Sequence, residues 1–593
     1  MTDSASTWTD ALSSLTPIFQ SYCDSSHAPG CAFGVVAGGQ IVLSGGIGVI
    51  NPGEDATPAA DTVYRIASMT KSFAALAILL LRDEGKLRLD DVAADYVPEL
   101  RSLHYPTGDS AAITVRQLLT MSSGWPEDNP WGDRQLWRSD AQLVEILQDG
   151  VPFANAPGVV FEYSNLGYMV LGRIVAAVSG ESSLSFIMRR ILEPLGMTDT
   201  VWNEADVPSR RLARGCHWLD GEWVEEPLLP SGGDVAAFGG LYSTVADLAR
   251  WVQCMLAAWP PRDDAEASIV RRATLREMQQ PWRLYSPAAD APELGRPIVR
   301  SAGGYGYGLS ITHEGDLYIV SHAGGLPGYG SHMAWLPDYD LGIIALGNVR
   351  YAPMRQAATE ALRLLAQQAE RRRPRLHSGQ AGAPPTESVG ALQAAYQAAN
   401  RLLAGWDDGL ADRLFADNFF LDDSRARWQA EITRLAAVHG PWQEIGPLEP
   451  ENALRGAWKL TGTRGVVRAF LTLAPTTPPR VQELSLESML PPGPALQSLL
   501  DQLLRLLDKP SRTATYKLFA GDAAPAAESH TFYDKVRLVS VLCGPCRLGE
   551  ILAGDGERWV RLRLEGTKAG VEAELTLDVK GRKFVSARFR QVR

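Results

Sequence analysis

Ser68 and Lys71 stand three residues apart in Ser68-Met69-Thr70-Lys71, at the head of the apolar run SFAALAILLL. At that spacing two side chains share one face of a helix. A serine hydroxyl is a weak nucleophile until a neighbour accepts its proton. A lysine accepts it when burial or positive neighbours lower its pKa. A helix N-terminus at Ser68 adds a field that favours developing negative charge. Taken alone the pattern is weak, because a capping serine followed by a surface lysine reads the same way. Two further groups could serve the same chemistry. Tyr163-Ser164-Asn165, within PGVVFEYSNLGYMVLGRIV, offers a phenol that can shuttle protons and an amide that can hold a carbonyl. The bland alternative is a loop that caps the next helix. His322-Ala323-Gly324, followed by Gly325, lies on a strand signal whose small residues would let substrate approach the backbone. There the N–H of Gly325 and that of Ser68 would form an oxyanion hole. The bland alternative is a glycine turn at a strand end.

These three motifs, S-x-x-K, Y-x-N and H-x-G, occur in the order seen in the beta-lactamase and penicillin-binding protein superfamily. The stretches VYRIASMTKSF, LLTMSSGW, EPLGMTDT, FGGLYSTVADLARWV and YGYGLSI also resemble the class C beta-lactamase-related serine hydrolases. The resemblance covers roughly residues 10–370. It implies Ser68 as the acylated nucleophile, Lys71 and Tyr163 as shared base and acid, and Asn165 as a substrate-orienting amide. It implies substrate contacts at His322, Ala323 and Gly324, and no metal or organic cofactor. His322 stands where many relatives carry lysine. A histidine is mostly neutral at pH 7, so strong beta-lactam or carboxypeptidase turnover is not expected. Esterase and D-amino-acid-specific peptidase activities are the expected alternatives. The substrate would be a small ester, amide or short peptide. The rival reading is a binding or regulatory protein on the same scaffold, with slow or vestigial hydrolysis.

The segment Gly124 to Trp137, GWPEDNPWGDRQLW, borders the cleft in that family. Trp125, Trp131 and Trp137 are candidates for an apolar wall, and Glu127, Asp128 and Asp133 for meeting a cationic group. A free amine on the substrate would suit such an acidic rim. A solvent-facing loop held by aromatic packing is the competing reading.

Elements must hold these groups together. A helix is expected from Leu12 to Cys23, then a hairpin turning at Gly38-Gly39. A helix-rich stretch follows from Ser68 to about Met255. Strands return in LYIVSHAGG, SHMAWLPD and LGIIALGN, before a helix over Pro353 to Arg372. Strands at both ends with helices between them predict an α/β (α+β) domain over residues 1–373: a mixed antiparallel sheet with a helical subdomain. A Pro/Gly/Ser-rich linker is expected over 374–388.

The rest of the chain repeats itself. LTGTRGVVRAFLTL from Leu460 and LEGTKAGVEAELTL from Leu564 agree at eight of fourteen positions, offset by 564 − 460 = 104 residues. The same offset relates Leu392-Gln393 to Leu496-Gln497, Leu414-Phe415-Ala416 to Leu518-Phe519-Ala520, and Gly440-Pro441 to Gly544-Pro545. Two tandem α+β repeats, 389–490 and 491–593, are expected. They weakly resemble the cone-shaped modules related to nuclear transport factor 2, and they are candidates for homo-oligomerisation.

Several readings are set aside. A net charge of −11 across 593 residues gives no footprint for nucleic acid. No basic n-region or long apolar run opens the chain, so a cytoplasmic, non-membrane protein is expected. Six cysteines in a chain this long call for no disulfides. Cys543-Gly544-Pro545-Cys546 spells a thioredoxin-type dithiol, but it follows a helical stretch, and the aligned His439-Gly440-Pro441-Trp442 keeps the turn without thiols. The run Arg371-Arg372-Arg373-Pro374-Arg375 reads as a solvated helix end. No nucleophile elbow, phosphate loop or zinc motif is present.

Overall fold

The computed structural model describes residues 4–227, 230–266, 269–289, 300–369, 386–519, 526–578, 580 and 582–591. The chain forms two compact units, Met1–Ser378 and Gly379–Arg593.

The first unit is built on an eight-stranded antiparallel sheet. Its strands are β1 (Gly30–Ala37), β2 (Gln40–Gly48), β3 (Arg283–Ala289), β4 (Arg300–Tyr305), β5 (Ser310–Glu314), β6 (Leu317–Leu326), β7 (Tyr329–Leu336) and β8 (Leu341–Gly347). They lie in the order β2-β1-β8-β7-β6-β5-β4-β3. The first hairpin turns at Gly38 and Gly39, with φ of 59° and 75°. Two consecutive positive φ angles define the tight turn that matches strand twist.

Alternation along the strands explains why the sheet is covered on both faces. Phe33 and Val35 of β1, Ala334 and Leu336 of β7, and Ile343 and Ala345 of β8 face one core. Helices α1 (Ser4–Ser26) and, at the other end of this unit, Met354–Gln368 close that core, with Phe19 stacked on Phe33 at 4.1 Å between centroids. The helix expected over Leu12 to Cys23 is therefore longer at both ends. Ala32, Val36, Met333, Trp335, Ile344 and Leu346 face the second core, which includes the helical lobe. At its centre runs α2 (Thr70–Asp83), buried at every position from Thr70 to Leu81. A helix apolar all round belongs inside a core. It packs with α3 (Asn165–Ser179). Among the described residues no single helix is long and apolar enough to cross a membrane.

The second unit repeats helix-then-meander twice. The expected 104-residue offset holds at both ends of three pairs of elements. Asp408–Leu414 corresponds to Arg512–Leu518, Arg455–Gly462 to Trp559–Gly566, and Val466–Leu473 to Gly570–Leu577. Even the register irregularity recurs, at Thr472/Leu473 and at Thr576/Leu577. Each repeat keeps its own core, one around Leu392, Trp458 and Leu471, the other around Leu496, Leu562 and Leu575. The boundary expected at 490/491 is bridged by a short parallel pairing of Met489 with Gly554 and Leu490 with Asp555, so the two meanders form one sheet. Among the described residues no closed barrel is present. Most of the expected linker 374–388, and the Arg371–Arg375 run, lie outside the described residues. A helix already begins at Thr386, inside that segment.

None of the six cysteines is in a disulfide. Cys543 ends a helix and Cys546 opens a strand. Burial pushes the Cys543 thiol up to about 11 and that of Cys546 upward as well. A redox-active dithiol needs the opposite shift.

Candidate active site

Ser68 lies in a single 3-10 turn, Ala67–Met69, that leads directly into α2. The N–H groups of a first turn have no intrahelical acceptor, so that of Ser68 is available to a substrate oxygen. Ala67 has φ of 50°, in the left-handed region. For alanine that region costs about 1 kcal/mol, and here it occurs one residue before the nucleophile. The turn is held from outside. Ile66 donates its N–H to Leu241 O at 3.0 Å, and Ser331 Oγ donates to Ile66 O at 2.8 Å.

Lys71 is fully buried. Its Nζ lies 2.9 Å from Ser68 Oγ, 2.6 Å from Asn165 Oδ1 and 2.9 Å from Phe238 O. Burial pulls the ammonium down to about 7, against the opposing pull of Asp133 and Asp128. The partner types decide what the neutral amine does. The two carbonyl oxygens are acceptors only, so each must take an N–H. A neutral amine has two N–H bonds and one lone pair, and the lone pair is left facing Ser68. Aromatic faces enclose the amine, with ring centroids of Tyr163 at 4.9 Å and Phe238 at 5.3 Å.

The Tyr163 phenol interacts with Ser68, and burial raises its pKa well above the ordinary value. It is therefore a neutral donor at pH 7. Asn165 opens α3, capped by Ser164, whose hydroxyl accepts from Gly167 N. It has no solvent exposure. Its Nδ2 donates to Asn129 Oδ1 at 3.2 Å while its Oδ1 holds Lys71. Asn165 thus positions Lys71 through its amide oxygen, while Nδ2 spends one of its two N–H groups on Asn129.

β6 supplies the facing edge. Its pairing with β5 ends at Ser321–Ser310, while that with β7 continues to Leu326–Tyr329. Ladder bonds alternate along an antiparallel strand. Ser321 bonds toward β5, so Ala323 and Gly325, two and four residues on, direct their backbone groups to the edge left open. Both keep partial exposure. Gly324 points inward. A Cβ there would sit 2.2 Å from Ile66 O and 2.3 Å from Ser331 Oγ. Only glycine lets the strand approach the nucleophile turn this closely. Gly324→Ala is expected to cost about 2–3 kcal/mol through the forced backbone shift. It should lower kcat/KM by about 10²-fold, the scale set by an ångström-sized misplacement. Thermal melts and steady-state kinetics read both effects.

His322 is corrected as a substrate contact. Its ring is buried. Nδ1 donates to Ala323 O at 2.6 Å, and Nε2, at 3.0 Å, is left to accept from the Tyr305 hydroxyl. Burial and the nearby Lys71 pull its pKa down to about 3. It is a neutral structural imidazole, not a cation facing substrate.

The three tryptophans of the loop separate in the same way. Trp125 is 1% exposed and belongs to the core, so it cannot form a cleft wall. Trp131 and Trp137 are 39% and 45% exposed and are free to border the opening. The loop between them packs on the site. A Cβ on Gly132 would strike the Asn165 side chain at 2.5 Å. Asp128 accepts from Asn165 N at 2.6 Å and Leu166 N at 2.8 Å, fastening the start of α3. A carboxylate is stabilised there by the helix dipole. Phe238 O, Asn129, Gly132 and Tyr351, which touches Gly325, were not singled out by the sequence motifs. Only the Gly239-Gly240 doublet in FGGLYST marked the Phe238 neighbourhood.

A buried Ser–Lys pair beside an open strand edge, on an antiparallel sheet flanked by helices, is the architecture of the beta-lactamase and penicillin-binding protein superfamily. The chain belongs to the Beta-lactamase family, which it matches over residues 15–368. Protein flp of Staphylococcus aureus (strain COL) is 29% identical over 350 residues, 58% of this chain and 65% of that protein. The match thus spans less than two thirds of that relative. D-alanyl-D-alanine-carboxypeptidase/endopeptidase AmpH of Escherichia coli (strain K12) is 29% identical over 325 residues, 54% of this chain and 78% of AmpH. The octameric penicillin-binding protein homologue from Pyrococcus abyssi shares the fold at 19% identity, with a TM-score of 0.51 and 98% of each chain covered.

Proposed function

We propose that this protein is a serine hydrolase that acylates Ser68 with a small ester or amide and then releases the acyl group to water, as class C-related enzymes do. The observation that carries the reading is the Lys71 amine, pulled to about 7 and held 2.9 Å from Ser68 Oγ with its two other contacts on carbonyl oxygens. Ser68 Oγ attacks the carbonyl carbon and its proton passes to Lys71 Nζ. The N–H groups of Ser68 and Gly325 stabilise the oxyanion. The Tyr163 hydroxyl passes a proton to the leaving group, and the proton taken up by Lys71 restores the phenol. Water repeats the sequence from the opposite side, activated through Tyr163.

A fluorophosphonate probe followed by peptide mapping tests this. Covalent mass on the peptide containing Ser68, with turnover of short-chain nitrophenyl esters, is the expected result. Labelling elsewhere would sink the proposal. Ser68 is only 7% exposed, which favours, as the second reading, a regulatory or binding protein with slow hydrolysis. Labelling without measurable turnover would select it. The octameric state of the Pyrococcus abyssi homologue supports self-association of this chain too. Light scattering on the full chain checks it, and a monomer would exclude it.

A further inference from the structure

Three carboxylates lie in the loop beside the site, and two have structural work. Asp128 holds the start of α3. Glu127 accepts from Asn129 N at 2.9 Å on the exposed surface. Asp133 differs. It is 5% exposed, and among the described residues it forms no ion pair. Its Oδ2 accepts from the Tyr351 hydroxyl at 3.0 Å, and among the described residues no hydrogen bond reaches Oδ1.

Tyr351 ties this carboxylate to the reacting edge. A Cβ on Gly325 would sit 2.8 Å from Tyr351 Cδ1, so the ring stands directly against the residue that offers the oxyanion N–H. On the other side Asp133 interacts electrostatically with Lys71 and Tyr163. Burial holds its carboxyl up, at about 6, with Lys71 pulling it down and Asp128 and Glu127 pushing it up. A buried carboxylate left without a cation is costly. Such a group is kept where a ligand supplies the missing charge. The site also lacks the fixed cation that would receive a substrate carboxylate, since His322 is neutral and both its nitrogens are used.

We propose that Asp133, presented by Tyr351 beside Gly325, receives the ammonium group of the substrate, so that the acyl donor is one bearing a free amine: an amino-acid amide or ester, or the N-terminal residue of a short peptide. This assignment rests on the acyl-enzyme reading of Ser68. Tyr351 fixes the carboxylate, and the ammonium replaces solvent at Oδ1. Binding needs Asp133 ionised. The preference for free amines therefore fades as pH falls through about 6, whereas the titration of Lys71 affects aminated and acylated substrates alike and cancels in their ratio.

The test measures protection of Ser68 from a fluorophosphonate in the full-length protein. The competitors are alanine amide and its N-acetyl counterpart, each in D and L forms. Protection by the free amine at least about tenfold stronger, for one enantiomer, is expected from a close ion pair. In Asp133→Asn that ratio should fall to about one, and Asp133→Glu should restore part of it. Equal protection by both compounds in the wild type overturns the proposal. So does an Asp133→Asn variant in which both weaken together, because that pattern means Asp133 only tunes Lys71. If Ser68 takes no label at all, the acyl-enzyme reading fails first and this assignment falls with it. Tyr351→Phe gives a second measure that keeps the charge: the ratio should shrink but persist.

Discussion

Replacing Ser68 with alanine is expected to lower ester turnover by at least about 10⁴-fold, the scale on which losing a nucleophile acts. The rest of the site should stay in place. Ser68 Oγ is one of three partners of Lys71 Nζ, and Asn165 Oδ1 and Phe238 O remain. The turn is held through Ile66 and not through the Ser68 side chain. The melting temperature should therefore change little, corresponding to about 1 kcal/mol or less for a single neutral hydrogen bond. Kinetics with a nitrophenyl ester and a thermal melt of the same preparation check the pair of outcomes. A variant that keeps its turnover would show that the acyl-accepting group lies elsewhere.

Lys71→Met is expected to separate activity from stability. Activity should fall by about 10³-fold or more, because proton transfer from the nucleophile loses its acceptor. Stability should change by no more than about 2 kcal/mol at neutral pH, because losing the buried amine's desolvation cost is offset by leaving Asn165 Oδ1 and Phe238 O without a donor. The pH dependence follows from the direction of the shift. The folded-state pKa is about 7, below the ordinary 10.5. Between those values the unfolded chain binds more protons than the folded one, so the lysine makes stability rise with pH across that window. The contribution is fully present only above the unfolded value and is lost as pH falls toward 7. Lys71→Met should flatten that slope. The wild-type acylation rate should climb with pH and level off above about 7, since only the neutral amine offers a lone pair to Ser68. Denaturant melts from pH 7 to 9 and a stopped-flow pH profile measure the two effects. A rate that is flat from pH 6 to 8 would contradict this assignment of the base.

Some of this was readable in the chain itself. The contact of Ser68 with Lys71 follows from a three-residue spacing at a helix start. The Gly38-Gly39 turn and strands β6 to β8 follow from residue type and period. The repeat follows from one offset, which three pairs of elements reproduce to the residue. Other assignments required the fold. Lys71 meets Asn165 across 94 residues and Phe238 across 167. Nothing in either segment specifies that the Asn165 amide oxygen turns to the lysine. Trp125 and Trp131 lie six residues apart in one loop, yet one is core and the other is surface. His322 has the right position for a substrate contact, but its ring is satisfied internally by Tyr305 and Ala323 O. Asp133 gains its place from Tyr351, 218 residues away.

Local backbone geometry is encoded within a turn or two of chain, so spacing and alternation determined which elements form and which side chains share a face. The charge state of Lys71, the neutrality of His322 and the isolation of Asp133 depend on how much water is excluded and which distant groups close around each atom. Those are properties of the packed molecule, and only the tertiary structure decided them.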